Sequence, residues 1–346
     1  MDIRNDKNTI LTSRPILIIA NSSWYLHHYR SLLIKEISLK NQLFTMSPID
    51  KYSKKLSENS IYIPWNIHRQ NDFNLFSLIF SLLKLLLMVR ALKPKLIHSH
   101  TLKTNLLSAI VASLYGLPCV LSFAGMGRLS KSKGIKYNFF KLILNLIYQF
   151  SIRKRKNKWK WEKTKKRSFF IFQNPNDQKI FKKIVPDLKT FSYKVIPGSG
   201  VPSRYFAKDM IFKNKWLDKN VNKSIKLEDI SFIYCARLLK SKGIYIFLDL
   251  LKEFSSSRGF IFGDIDPSSK DSLNPRDLKE LSEVYSNVFF EGNVKDPMLR
   301  INECYPILIV PSNYGEGLSR SIIEALSLKI PVICSQTALS GTFNEK

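Results

Sequence analysis

PILIVPSNYGEGLSRSIIEALSLKIPVICS (306–335) places an apolar run, a glycine-punctuated loop, a helical pattern and a second apolar run one after another. Both runs are apolar at consecutive rather than alternate positions, the pattern of strands covered on both faces in a parallel sheet. A strand, a crossover helix and a further strand make a βαβ unit, and the fold class is α/β. The same rhythm extends upstream through ISFIYCA (230–236), GFIFG (259–263) and NVFFEG (287–292). An earlier series comprises PILIIA (15–20), LIHSH (96–100), PCVLSF (118–123) and SFFIFQ (168–173). Two series predict two doubly wound lobes in tandem, which suits a chain of 346 residues at roughly 100 to 200 residues per domain.

Between the series lies VIPGSGVPSRYF (195–206), punctuated by Pro197, Gly198, Gly200 and Pro202. The boundary belongs there, giving domains of 1–196 and 197–346. Open α/β sheets bind ligands outside the carboxyl ends of their strands, so a pocket is expected between the lobes.

A hydrophobic fraction of 45% excludes a disordered or fibrous chain. The formal net charge of +28 attracts phosphates, anionic lipid or nucleic acid without choosing among them, and also fits a liberal use of surface lysine. Cys119, Cys235, Cys304 and Cys334 show no C-x-x-C spacing and read as small core residues. With a polar start, MDIRNDKNTILTSR, this implies a cytoplasmic protein. The apolar stretch Phe73 to Leu92 carries Ser77, Ser81, Lys84 and Arg90, so it predicts a helix packed on a sheet or lying at a surface rather than a membrane span.

Seven residues separate Glu316, in the loop after the strand at 306–311, from Glu324 on the following helix. With a helix start near Ser319, Glu324 lies about 7 to 8 Å along its axis, so both carboxylates can face one pocket. Carboxylates suit sugar and ribose hydroxyls, which donate charge-assisted hydrogen bonds to them. The helix N-terminus beside the loop favours a phosphate. In the other lobe, His98 and His100 share one side of a strand and invite a metal or general-base reading, but no third ligand stands at a zinc-like spacing.

These stretches, with NSSWYLHHYR (21–30), HSHTLKTNL (98–106), FAGMGRL (123–129), FQNPNDQKIF (172–181), VIPGSGV (195–201) and ARLLKSKG (236–243), resemble in order the landmarks of the retaining GT4 family of glycosyltransferases. The likeness runs from about residue 15 to the end. It is greatest to members that build capsule, O-antigen or exopolysaccharide repeat units on lipid carriers. The resemblance implies a GT-B fold, with two Rossmann-like lobes facing across a cleft, the first on the acceptor side and the second binding a nucleotide sugar.

It further implies that Glu316 contacts the transferred sugar, that Glu324 holds the ribose, and that the backbone at Gly317 and Leu318 meets sugar or phosphate oxygens. Arg237 and Lys242 correspond to the basic pair on the donor diphosphate; taken alone, that spacing also fits a solvated basic loop. His100 matches a histidine near the sugar that close relatives often replace, and an ordinary capping or core role fits it equally well. Asn21, Ser22, Trp24, Gly125, Gly127 and Asn174 fall on cleft-facing or landmark loops, where turn-forming roles fit equally well, and Arg30 is positioned to orient the first of these loops. No metal or other cofactor is implied beyond the UDP- or GDP-sugar donor. The family continues past SGTFNEK with a further strand and helices, so the resemblance also predicts an incomplete second domain. A truncated, non-catalytic homologue that binds nucleotide or membrane as an assembly partner is the alternative.

Residues 153–167, RKRKNKWKWEKTKKR, hold ten basic residues against one acid. Arg153, Lys154, Arg155, Lys156, Trp159 and Trp161 make a candidate anchor on an anionic membrane, at the inner face of the plasma membrane where a polyprenyl-diphosphate-linked acceptor would lie. Nucleic acid uses the same ingredients but is the weaker expectation, and a solvated loop is the plain alternative.

Overall fold

The structure, a computed structural model, describes residues 14–67, 75–125, 134–152, 168–186, 188, 192–201, 216, 225–267, 269–300, 305–313 and 318–339. The chain separates into two compact units, Met1–Ile196 and Pro197–Lys346.

The first unit is built on a seven-stranded sheet of β1 (Ile16–Ile19), β2 (Leu43–Ser47), β3 (Ile61–Pro64), β4 (Leu96–His100), β5 (Cys119–Phe123), β6 (Ser168–Phe172) and β7 (Tyr193–Val195). Its order is β3-β2-β1-β4-β5-β6-β7, with every pair parallel. β1 shows why the strand is apolar throughout. Ile16 and Ile18 pack with Leu26 and Ile34 of the helix Ser23–Ser38, while Leu17 and Ile19 turn to the larger cluster on the opposite face. That face is covered by the helices Leu75–Leu92, Leu102–Tyr115 and Ile135–Ile152, whose Leu85, Val89, Leu106, Leu107, Leu144 and Tyr148 join the same cluster. Among the described residues no helix is long and apolar enough to cross a membrane.

The second unit repeats the plan with β8 (Ile230–Cys235), β9 (Arg258–Phe262), β10 (Val288–Gly292), β11 (Tyr305–Val310) and β12 (Val332–Cys334). The order β10-β9-β8-β11-β12 is again wholly parallel. Ile233, Leu308 and Val310 pack with Ile322 and Ala325 of the helix Arg320–Ser327. Phe232, Tyr234 and Ile309 pack on the other face with Phe247, Leu248 and Leu251 of the helix Ile244–Glu253.

Helix boundaries follow local chemistry. Asn174 accepts from the Asp177 backbone N–H with Pro175 in the first turn, and Asn274 and Asp277 close a reciprocal capping box ahead of the helix Pro275–Val284. β2, β3 and β7 escaped the sequence reading. β2 buries Thr45 and Ser47, β3 is an edge strand ending in Pro64, and β7 spans three residues.

Phe181 sits among Phe123, Tyr148, Phe170 and Phe172, with ring centroids 5.0 to 5.2 Å away. Phe181→Ala is expected to cost the first unit roughly 3 to 5 kcal/mol. Urea unfolding followed by tyrosine and tryptophan fluorescence reads this as a lowered midpoint; an unchanged midpoint would mean the aromatic cluster does not hold the unit together.

Candidate functional site

In each sheet the strand order reverses beside the unit's first strand, at β1/β4 and at β8/β11. Loops leaving such a pair diverge to opposite faces and open a crevice at the carboxyl ends. Asn21, Ser22, Trp24 and His100 follow or end the strands at the first of these places, and Arg237, Lys242 and Glu324 lie at the second.

In the second unit, β8 runs into the segment Ala236–Gly243, which is tied down along its length. Ala236 N donates to Phe262 O at 3.0 Å, Leu238 N to Asp264 O at 3.0 Å and Lys240 N to Asp271 O at 2.8 Å. Asn313 N, just beyond β11, donates to Ser241 O at 2.9 Å. Gly243 adopts φ +79°, and a Cβ there would overlap the Pro311 carbonyl, so only glycine lets the two loops close on each other. The Ser335 hydroxyl donates to Ser312 O at 2.5 Å and that of Thr337 to the same oxygen at 2.8 Å, which steadies the loop leading toward the helix Arg320–Ser327.

This frame carries Arg237 and Lys242 on one side and Glu324 on the other. Arg237 Nη1 pairs with Asp266 Oδ2 at 2.5 Å. Lys242 is only 5% exposed. Burial, with the Arg237 charge as a lesser cause, brings its pKa down to about 7. Glu324 is 7% exposed and accepts from Arg320 Nε at 2.7 Å, one helical turn away. Glu324 also reaches the end of β8. The Cys235 thiol is pushed up to about 12 by burial first and by the Glu324 carboxylate second. Glu324 is therefore not a solvated surface acid, and Arg237, Lys242 and Glu324 converge on one strand reversal. Leu318 packs onto the cluster beneath and against Gly198, at φ +60°, so the glycine-rich start of the unit touches the same helix. Arg320 and Asp266 were missed in the sequence. The signals that could have found them are the one-turn spacing from Glu324 and the acidic run GDID after β9.

In the first unit, His98 and His100 both face the β1/β4 reversal, with ring centroids 4.3 Å apart. Burial brings the His98 pKa to about 3 and holds that of His100 well below its usual value, so both are neutral at pH 7. Arg30 Nε donates to His100 Nδ1 at 3.3 Å, which places the neutral ring's proton on Nε2. Among the described residues His100 Nε2 is buried without a hydrogen-bond partner. It is a donor held ready for an acceptor oxygen, not a general base. His98 Nε2 lies 2.9 Å from the Ser122 hydroxyl. Among the described residues no group of three His, Cys, Asp or Glu is placed to hold a metal ion. Thr101, next to His100, has φ +77°, a strained conformation of the kind that clusters at ligand sites.

Three loop residues have mainly structural work. Ser22 caps the helix Ser23–Ser38 by accepting from Tyr25 N at 3.3 Å. Asn174 spends both ends of its amide on Asp177, at 2.7 Å each, and its landmark position is that of a helix cap. Trp24 N donates to Asp50 Oδ2 at 2.9 Å while its ring lies 4.9 Å from His28. Asn21 is half-buried at the end of β1, and Gly125 follows β5 at φ +136°. Glu316, Gly317, Gly127 and the basic residues Arg153, Lys154, Arg155, Lys156, Trp159 and Trp161 lie outside the described residues.

Lys242 gives the second unit a pH signature. Between about 7 and its ordinary 10.5 the unfolded chain holds a proton that the folded chain has released, so stability rises with pH across that window. Lys242→Met is expected to flatten this rise in urea titrations from pH 7 to pH 10; a wild-type curve already flat there would show the ammonium is not destabilised by burial.

Residues 229–345 match the family described as Glycosyl transferases group 1. The chain is 24% identical over 287 residues to the capsular polysaccharide biosynthesis glycosyltransferase CapM of Staphylococcus aureus, across 81% of this chain and 68% of that protein. Among solved structures it is similar to Anabaena HepE in complex with UDP-glucose, with a TM-score of 0.64, 18% identity and coverage of 93% of this chain and 80% of that one. It is also similar to sucrose-phosphate synthase of Thermosynechococcus elongatus, with a TM-score of 0.67, 14% identity and coverage of 94% and 82%. Structural likeness at such identities carries the GT-B fold, while the match across the second unit and the capsular relative are likenesses to glycosyltransferases. The second unit thus carries the match to group 1 glycosyl transferases, and the chain as a whole resembles a GT4-type glycosyltransferase of the capsule kind.

Proposed function

We propose that the protein transfers a hexose-type sugar from a UDP- or GDP-linked donor to a lipid-linked saccharide. The reaction retains the anomeric configuration and needs no metal ion. Its setting is the assembly of surface polysaccharide at the cytoplasmic face of the plasma membrane, with the acceptor carried on a polyprenyl diphosphate. The observation that carries this reading is the convergence of Arg237, Lys242 and Glu324 on the β8/β11 reversal. HepE, solved with UDP-glucose, supports the donor class.

When the bond between the sugar's anomeric carbon and the diphosphate oxygen breaks, negative charge grows on the leaving diphosphate. Arg237 presents a planar fork and Lys242 a point charge to that group, and stabilising such charge is commonly among the largest contributions to catalysis. The two side chains supply the positive charge that a bound metal gives in other enzymes, which is the basis for the metal-independent reading. A diphosphate also restores Lys242 to its ammonium form, because the new anion offsets the burial that depresses its pKa. Glu324 accepts hydrogen bonds from the ribose hydroxyls, and Glu316 is assigned to the transferred sugar by its place in the sequence motif. His100 Nε2–H donates to a sugar oxygen.

Thermal shift across UDP- and GDP-sugars tests the donor site. Arg237→Ala and Lys242→Ala are each expected to remove roughly 2 to 4 kcal/mol of donor binding, and Glu316→Ala to abolish transfer while keeping the nucleotide shift. If no nucleotide raises the melting temperature of the wild type, the proposal fails; a shift without turnover in the wild type would favour the non-catalytic partner.

A further inference from the structure

The helix Leu75–Leu92 is apolar well beyond the one side that is buried. Ser81, Leu85 and Val89 face the core, while Phe76, Ile79, Phe80, Leu83 and Leu87 stand exposed, Phe80 by 71% and Leu87 by 62%. Residues 76, 80, 83 and 87 recur at helical spacing, so they form one continuous stripe. Two helices alongside add to it. Leu114 is exposed on the helix Leu102–Tyr115, and Leu142 and Leu146 on the helix Ile135–Ile152, Leu146 by 61%. Between these two helices runs an open groove of about 410 Å³ lined by Ile110, Leu114, Leu146, Ile147, Gln149 and Phe150. Contiguous apolar surface of this kind marks an interaction site.

The charge around it selects the occupant. Between Asp72 and Glu162 the sequence contains no acidic residue, and all three helices fall inside that interval. Their cations include Lys84, Arg90, Lys103 and Lys141. The chain leaving the last helix at Ile152 continues as RKRKNKWKWEKTKKR. A protein partner of ordinary composition has no need of so one-signed a border. An anionic bilayer combines the two properties that this face matches, an apolar interior and a negative surface.

We propose that this three-helix face of the first unit docks on an anionic lipid bilayer, with Phe76, Phe80, Leu83 and Leu87 entering the boundary between headgroups and acyl chains. The proposal rests on the membrane-side reading given above and names the surface that makes the contact. None of these side chains is assigned to the chemistry, so docking and donor binding separate cleanly. Lys84 and Arg90 lie on the same helix as the stripe, close enough to reach lipid phosphates while the aromatic rings enter.

The test is flotation of the full chain with vesicles of phosphatidylcholine alone and of phosphatidylcholine with phosphatidylglycerol, at low and high salt. Wild type is expected to float with the anionic vesicles and to be released by salt. A double variant, Phe80→Ser with Leu87→Ser, should partition at least about tenfold less. A control, Val284→Ser, which alters an exposed residue of the second unit, should float like wild type. Both variants should keep the wild-type far-UV spectrum and the thermal shift with UDP- or GDP-sugars. Wild type that stays unbound to anionic vesicles, or a Phe80/Leu87 variant that floats as well as wild type, overturns the proposal. So does a wild-type dimer in light scattering that the double variant breaks, since a second copy would then cover the face. Loss of the nucleotide shift in wild type would instead refute the donor reading and leave the docking result standing.

Discussion

The contact on which the site depends is backbone against backbone, the turn at Gly243 pressed on the carbonyl of Pro311. A parallel sheet delivers β8 and β11 side by side, but adjacency alone leaves their outgoing loops free to splay. The Gly243 turn and the hydrogen bond from Asn313 N to Ser241 O lock them together. Once they are locked, Lys242 has nowhere to go but inward, and the helix bearing Glu324 starts close enough for its carboxylate to act on Cys235 at the end of β8. Cation and carboxylate are thereby carried on loops fixed by backbone hydrogen bonds.

That arrangement stores electrostatic work. An ammonium group shut away from water beside a guanidinium is unfavourable in the empty protein, and the depressed pKa of Lys242 expresses that cost. The tension is relieved when a doubly charged group enters. The first unit uses a different device at the equivalent point of its sheet, a neutral imidazole oriented by Arg30 and flanked by the strained backbone of Thr101. Duplicated topology thus carries charged side chains at one strand reversal and a neutral imidazole at the other.

Much of the fold could be read from residues because buried parallel strands are apolar at every position, and PILIIA, LIHSH, ISFIYCA and PILIVP carry that mark plainly. β2, β3 and β7 did not, since polar Thr45 and Ser47 are buried through side-chain hydrogen bonds that no hydropathy pattern reveals, and edge strands need not be apolar. At the site, Arg237, Lys242 and Glu324 stood out through ordered motifs. Asp266 and Arg320 did not, because what distinguishes them is a partner that only folding brings within reach. Asn174 was legible in both of its readings, as a motif landmark and as a turn amide, and its amide bonds to Asp177 in the first turn of the helix it begins.

Asp266 gives Arg237 a resident counter-anion. A visiting anion therefore competes with a carboxylate already in place, and a lone monovalent ion such as chloride brings too little charge and too few oxygens to win that exchange. A diphosphate brings more of both. On the donor reading proposed above, the carboxylate would filter what occupies the guanidinium, so that discrimination against common cellular salts would precede recognition of the sugar.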